Sequence, residues 1–162
     1  MGKLRDVTLV FLVKKSGDKI TEICLAMKKR GFGVNRWNGV GGKLLADESI
    51  EMAAKREAQE EIGVDLKKIN KIAEIDFYFP HQTDWNQTVN AFFCEEWEGE
   101  PIETEEMRPR WFNPSELPYE SMWSDDKFWV PHILEGKLLK ASFVFKEHDL
   151  VDSHNLEFVN KF

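Results

Sequence analysis

The sequence is poor in cysteine and has no long apolar run. Its two cysteines, Cys24 and Cys94, stand alone without metal-binding spacing, which argues against a disulfide framework or a structural zinc site. No stretch approaches the roughly 20 apolar residues of a membrane-spanning helix, and the apolar run near the N-terminus is too short for a signal peptide. We therefore expect reduced core thiols in a cytoplasmic protein that does not contact membranes.

Positive charge is also scarce. Lys and Arg number 22 against 29 Asp and Glu, which gives a net charge of −7. A protein that binds nucleic acid nonspecifically is normally basic, so nucleic acid is a poor candidate partner. An acidic protein that handles phosphates must do so locally, with a cation between. A small-molecule partner and a monomeric state are the expectation.

The length and composition of the sequence indicate a single folded domain. The 162 residues suffice for a single domain, 1–162, and six Trp and twelve Phe make disorder improbable and provide flat stacking surfaces. Strand-like segments precede and follow one strong central helix, and a second helix begins near Ser124. This order predicts an α+β fold rather than a doubly wound one. The strand predictions are 7–15, 19–29 (joined by a Ser16–Asp18 turn), 71–79, 88–97, a short strand near Trp111, 140–149 and the final LEFVNKF run.

The central helix carries an unusual charge pattern. We expect it to start at Asp47 or Glu48 and to end at Gly63, and its last turns read REAQEEIGV. At 100° per residue, Glu57, Glu60 and Glu61 continue the apolar stripe of the first turns within an arc of roughly 120°. Their mutual repulsion costs roughly 0.2–0.5 kcal/mol per pair, and the helix dipole opposes each by roughly 0.3–1 kcal/mol.

A divalent cation would relieve this repulsion. Clustered carboxylates are hard oxygen ligands, and Mg²⁺ is usually held by one or two of them together with phosphate oxygens and water. Because the acids extend the apolar stripe, we expect them to face a cleft. A solvent-exposed helix rich in glutamate remains the alternative.

The residues around this helix form a known pattern. From Gly42 the chain reads GKLLADESIEMAAKREAQEEIGV, with Glu48, Arg56-Glu57, Glu60-Glu61 and Gly63 at fixed spacings. This run is similar to the complete signature of the Nudix hydrolases over 23 residues. The one departure is Ala58, where a larger aliphatic residue is usual.

The resemblance implies a Nudix fold, with a mixed β-sheet sandwiched between helices. It also implies Mg²⁺-dependent hydrolysis of a nucleoside diphosphate linked to another group, with Mn²⁺ as an alternative ion. Carried over by position, Arg56 orients the acids by ion pairing, Glu48 supports the loop, and Gly42 is the glycine where the loop enters the helix. The implied metal ligands are Glu57, Glu60, Glu61 and the Gly41 carbonyl, and Glu106 is a further candidate from another loop.

Further segments resemble the MutT-homologue subgroup that hydrolyses oxidised purine nucleoside triphosphates. They are LAMKKRGFG, RWNGVGGK, EEMRPRWF and MWSDDKFW, whereas the first hairpin, the PHQTDWNQ loop and the C-terminal tail depart from that subgroup. By position the resemblance implies a base pocket read by Asn38, Asp125 and Asp126. Its implied walls are Trp123, Phe32 and Met107, with Thr8 and Lys28 at the margins.

Simpler roles exist for several of these residues. Asp125 and Asp126 suit a helix N-terminus, Trp123 suits a core, and Lys28 suits a solvated strand end. The functional reading assigns Glu61, then Glu60, as the group that takes a proton from water, with monophosphate and pyrophosphate as products. Other readings are a Nudix hydrolase of dinucleoside polyphosphates or nucleotide sugars, and a catalytically silent nucleotide-binding module.

Overall fold

Strands dominate the protein, whose computed structural model describes residues 4–162. In that range the strands are β1 (Arg5–Ser16), β2 (Lys19–Lys28), β3 (Trp37–Asn38), β4 (Asp65–Tyr78), β5 (Gln87–Glu98), β6 (Met107–Phe112), β7 (Leu138–Lys146) and β8 (Leu150–Val159). The helices are α1 (Ile50–Ile62) and α2 (Asp126–Leu134), and short 3₁₀ turns connect several elements. The predicted domain starts at residue 1, and residues 1–3 lie outside the described part.

The strands form one mixed sheet. Their order is β3-β2-β1-β5-β4-β7-β8, and β6 pairs with β2 outside this path. β1 lies parallel to β5 and β4 lies parallel to β7, whereas the other pairs are antiparallel. The predicted α+β class with a mixed sheet is confirmed.

Alternation along the strands gives the sheet two apolar faces, because successive side chains of a strand point to opposite sides. On β1, Val10 and Leu12 join one core cluster, which also contains Ala54, Ala58 and Ile62 of α1. Leu9, Phe11 and Val13 join the other cluster, which contains Trp129, Val130 and Ile133 of α2. The sheet therefore lies between the two helices, as the resemblance implied.

The start of α1 differs from the prediction. Ser49, not Asp47 or Glu48, is the N-cap residue, and its hydroxyl accepts a hydrogen bond from the Met52 N–H at 3.1 Å. Asp47 has a left-handed backbone with φ 64°, which excludes it from the helix. Gly63 ends the helix in the left-handed conformation, as predicted, and its N–H donates to the Gln59 carbonyl.

The three glutamates of α1 do not all continue its apolar stripe, contrary to the prediction from the sequence. The buried residues of the helix are Ala53, Ala54, Ala58, Glu61 and Ile62. At 100° per residue the centre of this set lies about 60° from Glu57, on the Ala58 side. Glu61 falls within the buried arc, whereas Glu60 lies about 120° from its centre and its side chain is 57% exposed. The apolar stripe thus runs on through Ala58 and Ile62, which the prediction left out.

Other boundaries shift modestly. β4 begins at Asp65, well before the predicted Lys71, and α2 begins at Asp126 with Asp125 at its N-cap. The hairpin between β1 and β2 is as expected, and Pro131 lies inside α2. Cys24 and Cys94 are buried free thiols, which confirms their predicted place in the core. Neither described helix has the length and apolarity needed to cross a membrane.

Candidate active site

A short glycine-containing segment fixes one end of the candidate site. Val40 and Val10 exchange two backbone hydrogen bonds of 2.6 and 2.9 Å, and the Thr8 N–H donates to the Gly42 carbonyl at 2.9 Å. A Cβ on Gly41 would lie 1.9 Å from the Thr8 carbonyl oxygen, and one on Gly42 would lie 2.7 Å from the Glu57 carboxylate. Only glycine permits this approach, so the segment lies directly between β1 and α1.

Arg56 is the hub of the acidic network. Its guanidinium donates to both carboxylate oxygens of Glu48, at 2.8 and 3.0 Å, and to Glu57 Oε1 at 2.8 Å. It also donates to Glu60 Oε2 at 3.2 Å and to the Lys43 carbonyl. These hydrogen bonds raise the pKa of Arg56 above its ordinary value and lower that of Glu48. Arg56 therefore ties α1 to the loop that precedes it.

Glu61 is the acid that this network leaves uncompensated. The residue is only 3% exposed, and its Oε1 accepts a long 3.3 Å hydrogen bond from the Gly41 N–H. Its Oε2 is buried without a hydrogen-bond partner anywhere in residues 4–162. Burial, followed by the nearby negative charge of Glu57, raises the pKa of Glu61 to about 9. An unpartnered buried carboxylate oxygen of this kind fits a divalent cation, which would supply the missing positive charge.

The other proposed ligands stand further from this arrangement. Glu60 is held by Arg56 at the exposed side of the helix, and Glu106 pairs with Arg30 at 3.5 Å with its side chain 47% exposed. Throughout the described range, no three Asp, Glu, His or Cys side chains converge as a ready metal cage. The arrangement thus centres on Glu57 and Glu61 beside Gly41, and Glu60 and Glu106 would need to turn to join them.

A cleft of about 310 Å³ opens beside the Gly41–Gly42 segment. It lies where the first half of β1 and the C-terminal ends of β2 and β4 meet the start of α2. Every residue assigned to the base pocket by resemblance lines it: Thr8, Lys28, Phe32, Asn38, Met107, Trp123, Asp125 and Asp126. Gly41 and Gly42 line it as well, so the cleft adjoins the acidic end of α1.

Aromatic rings wall the cleft. The Phe32 ring is 40% exposed and lies 4.9 Å from the Trp123 ring and 5.1 Å from the Trp85 ring, centroid to centroid. Phe79 and Phe145 stack at 4.8 Å behind them and also line the cleft. Such walls suit a flat ring system. The sequence interpretation missed Phe79 and Phe145, and their places near the ends of two strand-like runs were the available signal.

Two adjacent aspartates form the polar floor. Asp125 and Asp126 are 3% and 2% exposed. Asp125 Oδ2 accepts a 2.8 Å hydrogen bond from the Trp129 indole N–H, whereas Asp126 Oδ2 is buried without a partner in residues 4–162. Burial raises the pKa of Asp125 to about 6, and burial together with the charge of Asp125 raises that of Asp126 well above its usual range.

The geometry argues against the simpler role of Asp125 and Asp126, in which they only stabilise the N-terminus of α2. Asp125 occupies the N-cap position, but its side chain makes no capping hydrogen bond. Both carboxyls instead line the cleft. Ionisation of one of these carboxyls hinders ionisation of the other. The pair can therefore hold a single shared proton, and it can then both donate and accept hydrogen bonds.

Smaller polar contributions come from the β1–β3 side. Asn38 Oδ1 accepts from the Gly39 N–H at 2.8 Å, which orients its amide group. Thr8 is buried and its hydroxyl accepts from the Gly42 N–H at 3.2 Å. Lys28 is partly buried at the end of β2, so it is neither fully solvated nor in the core. Met107 is buried and contributes an apolar wall.

Arg36 is a cleft residue that the sequence interpretation did not identify. Its guanidinium carbon lies 4.3 Å from the centroid of the Trp123 ring, and its Nη1 pairs with Asp149 Oδ2 at 2.8 Å. The partners are 113 residues apart in the chain. No local pattern in the sequence signals a contact over that separation.

Together these features define a site with two chemically different ends. One end carries Glu57 and Glu61 with an unpartnered oxygen, which suits a cation and the phosphates it neutralises. The other end is an aromatic cleft with a hydrogen-bonding floor, which suits a planar heterocycle. The Gly41–Gly42 segment joins them.

Comparisons with known proteins agree with this geometry. The sequence profile of the NUDIX domain matches residues 3–133. An oxidized purine nucleoside triphosphate hydrolase of Danio rerio is 41% identical over 151 residues, 93% of each chain, and one of Mus musculus is 38% identical over the full length of both. The MutT protein structure from Bacillus halodurans superposes with a TM-score of 0.81 at 25% identity, covering 95% of this chain and 98% of that one. The chain belongs to the NUDIX domain family.

Proposed function

We propose that the protein hydrolyses oxidised purine nucleoside triphosphates, of the 8-oxo-dGTP and 2-oxo-dATP type, to the monophosphate and pyrophosphate. The observation that carries this proposal is the buried Asp125–Asp126 pair on the floor of an aromatic cleft that adjoins Glu61. The names of the Danio rerio and Mus musculus relatives, which match nearly the whole chain, support it. The activity would remove damaged precursors from the nucleotide pool.

Base recognition would rest on complementary hydrogen bonding. Oxidation at C8 of guanine turns the N7 acceptor into a donor and adds a carbonyl acceptor. An aspartate pair that shares one proton offers both a donor and an acceptor, and the Asn38 amide does the same. A base with the wrong pattern would leave buried polar groups unpaired, and this penalty is the source of discrimination. Phe32 and Trp123, whose rings contact each other, would form one aromatic wall beside the ring, with Met107, Thr8 and Lys28 around its edge.

Phosphate chemistry would take place at the α1 end. Mg²⁺, or Mn²⁺ in its place, would be held by Glu57 and Glu61 with the Gly41 carbonyl, and by Glu60 and Glu106 once nucleotide is bound. The ion would supply charge neutralisation on the phosphate oxygens. Arg56 keeps Glu57 and Glu60 oriented, as its hydrogen bonds to both indicate. We assign Glu61 as the first-choice base toward the attacking water and Glu60 as the second.

The protein's setting is part of the proposal. We expect a monomer that acts in the cytoplasm on a small nucleotide, without a nucleic-acid or membrane partner. Two buried free thiols accord with a reducing compartment, and the cleft and its acidic neighbours come from a single chain. The net charge of −7 disfavours contact with polyanions.

The first prediction concerns Glu61. Glu61→Gln should lower kcat at least about a hundredfold for every triphosphate at saturating Mg²⁺, because the uncompensated carboxylate acts on the common phosphate part. Release of pyrophosphate from 8-oxo-dGTP, 2-oxo-dATP, dGTP and a capped dinucleotide measures it. Glu51→Gln, at an exposed position in the first turn of the same helix, is the matched control and should behave as wild type.

Other outcomes of this assay would support a different role for Glu61 or a different function for the protein. Full activity in Glu61→Gln would refute the assignment of Glu61. Wild-type protein that binds triphosphate with Mg²⁺ and releases no pyrophosphate would be a silent binding module. Preference of the wild type for the capped dinucleotide would indicate another substrate within the family.

The second prediction concerns the choice of base. Asp125→Asn should reduce the kcat/KM ratio of 8-oxo-dGTP to dGTP by at least about tenfold, because the amide cannot share a proton with Asp126. Steady-state kinetics on both nucleotides measure the ratio. Asp152→Asn, an exposed charge-matched control on β8, should leave it unchanged. An unaltered ratio in Asp125→Asn would rule out base reading by the pair.

The third prediction concerns the pH dependence of stability. A carboxyl with a raised pKa keeps its proton in the folded state after the unfolded chain has lost it. The free energy of unfolding therefore falls as pH rises from about 3.8 through about 6 for Asp125, and Asp126 acts in the same direction. Asp125→Asn should flatten this fall by up to about 3 kcal/mol, the equivalent of that shift.

Urea unfolding between pH 4 and pH 8, with chelator present, measures the effect. Glu61 also has a raised pKa, but it is present in both proteins, so the difference between wild type and variant isolates the aspartate pair. Parallel pH profiles for the two proteins would show that the pair does not hold the extra proton.

A further inference from the structure

The turn between β7 and β8 has an unusual backbone conformation. His148 and Asp149 are consecutive and both left-handed, with φ of 66° and 58°. Such conformations are uncommon outside glycine and persist when surrounding contacts determine them. Here the turn reaches back to the base cleft.

Asp149 makes two contacts, each to a different segment. Its carboxylate Oδ2 pairs with Arg36 Nη1 at 2.8 Å, and its backbone carbonyl accepts a 2.7 Å hydrogen bond from the Ser124 hydroxyl. Arg36 lies just before β3, whereas Ser124 immediately precedes Asp125. A single residue of the turn therefore holds two segments that border the cleft.

Trp123 lies between the elements that Asp149 holds. The Arg36 guanidinium covers its ring at 4.3 Å, and Phe32 contacts it at 4.9 Å. A Cβ on Gly33 would lie 3.2 Å from the Trp123 indole nitrogen, so the loop packs closely on the ring edge. The orientation of the main aromatic wall depends on these contacts, and the Arg36 contact depends on Asp149.

We propose that Asp149 is a positioning residue that sets how tightly the cleft binds the base, by holding Arg36 across Trp123 and Ser124 at the start of α2. The proposal rests on the proposed function and adds a determinant of its base affinity. Asp149 does not itself line the cleft in the described structure, whereas Arg36 and Trp123 do. It therefore acts through them and not by touching the substrate.

The expected kinetic signature follows from this separation. The Arg36–Trp123 contact borders the base, while Glu57 and Glu61 border the phosphates. A binding contribution that is equal in ground state and transition state changes KM and leaves kcat unaltered. Loss of the Asp149 carboxylate should therefore weaken base binding without slowing pyrophosphate release.

Asp149→Asn is the test variant, because asparagine tolerates the left-handed backbone and keeps the carbonyl that Ser124 contacts. We expect KM for 8-oxo-dGTP to rise about tenfold with kcat within twofold of wild type. The dissociation constant for 8-oxo-dGMP, followed by tryptophan fluorescence, should rise by a similar factor. Asp152→Asn removes the same charge from an exposed position of β8 and should change neither value.

A double variant tests whether Asp149 acts through Arg36. If it does, Arg36→Gln combined with Asp149→Asn should resemble Arg36→Gln alone. Multiplied effects in the double variant, an unchanged KM in Asp149→Asn, or a loss confined to kcat would each overturn the proposal.

The monophosphate separates this proposal from the proposed function. Wild-type protein that binds 8-oxo-dGMP but does not hydrolyse 8-oxo-dGTP would refute the hydrolase activity, and weaker binding by Asp149→Asn would still support the role of Asp149. Wild-type hydrolysis with equal 8-oxo-dGMP binding in both proteins would refute the role of Asp149 and leave the activity standing.

Discussion

The structure depends on a buried carboxyl at the end of α1 whose raised pKa shows that its ionised form lacks a compensating positive charge. Arg56 pairs with Glu48, Glu57 and Glu60, but Glu61 lies buried next to Glu57 with one oxygen unpartnered in the described residues. An unpaired buried carboxyl is destabilising, so the stability of the fold does not explain why Glu61 is present. Binding of a divalent cation would explain it, since the cation would supply the missing positive charge beside the proposed phosphate site.

The rest of the site is arranged around that point. The Gly41–Gly42 segment must pass within van der Waals distance of Thr8 and Glu57, which explains the glycines. The same segment borders the aromatic cleft, so the chain that approaches the acids also borders the cleft proposed to hold the base. A nucleotide could thus be held at both ends by elements packed against one sheet, which gives the orientation that phosphoryl chemistry requires.

Sequence reasoning predicted well what is local or carried by a known pattern. The glycine that ends α1, the β1–β2 hairpin and the cleft-lining Asn38 and Trp123 are of this kind. It failed where distant segments decide the outcome. Arg36 meets Asp149 across 113 residues, and no local pattern in the sequence signals this contact.

The location of a bound metal decides whether Glu57 and Glu61 form the cation site. Crystals grown with Mn²⁺ and a non-hydrolysable 8-oxo-dGTP analogue would reveal the ion by its anomalous scattering. We expect a peak in direct contact with the carboxylates of Glu61 and Glu57, between them and the phosphates. A nucleotide-bound structure in which the ion lies elsewhere, with Glu57 and Glu61 making no contact to it, would contradict a cation site at the end of α1.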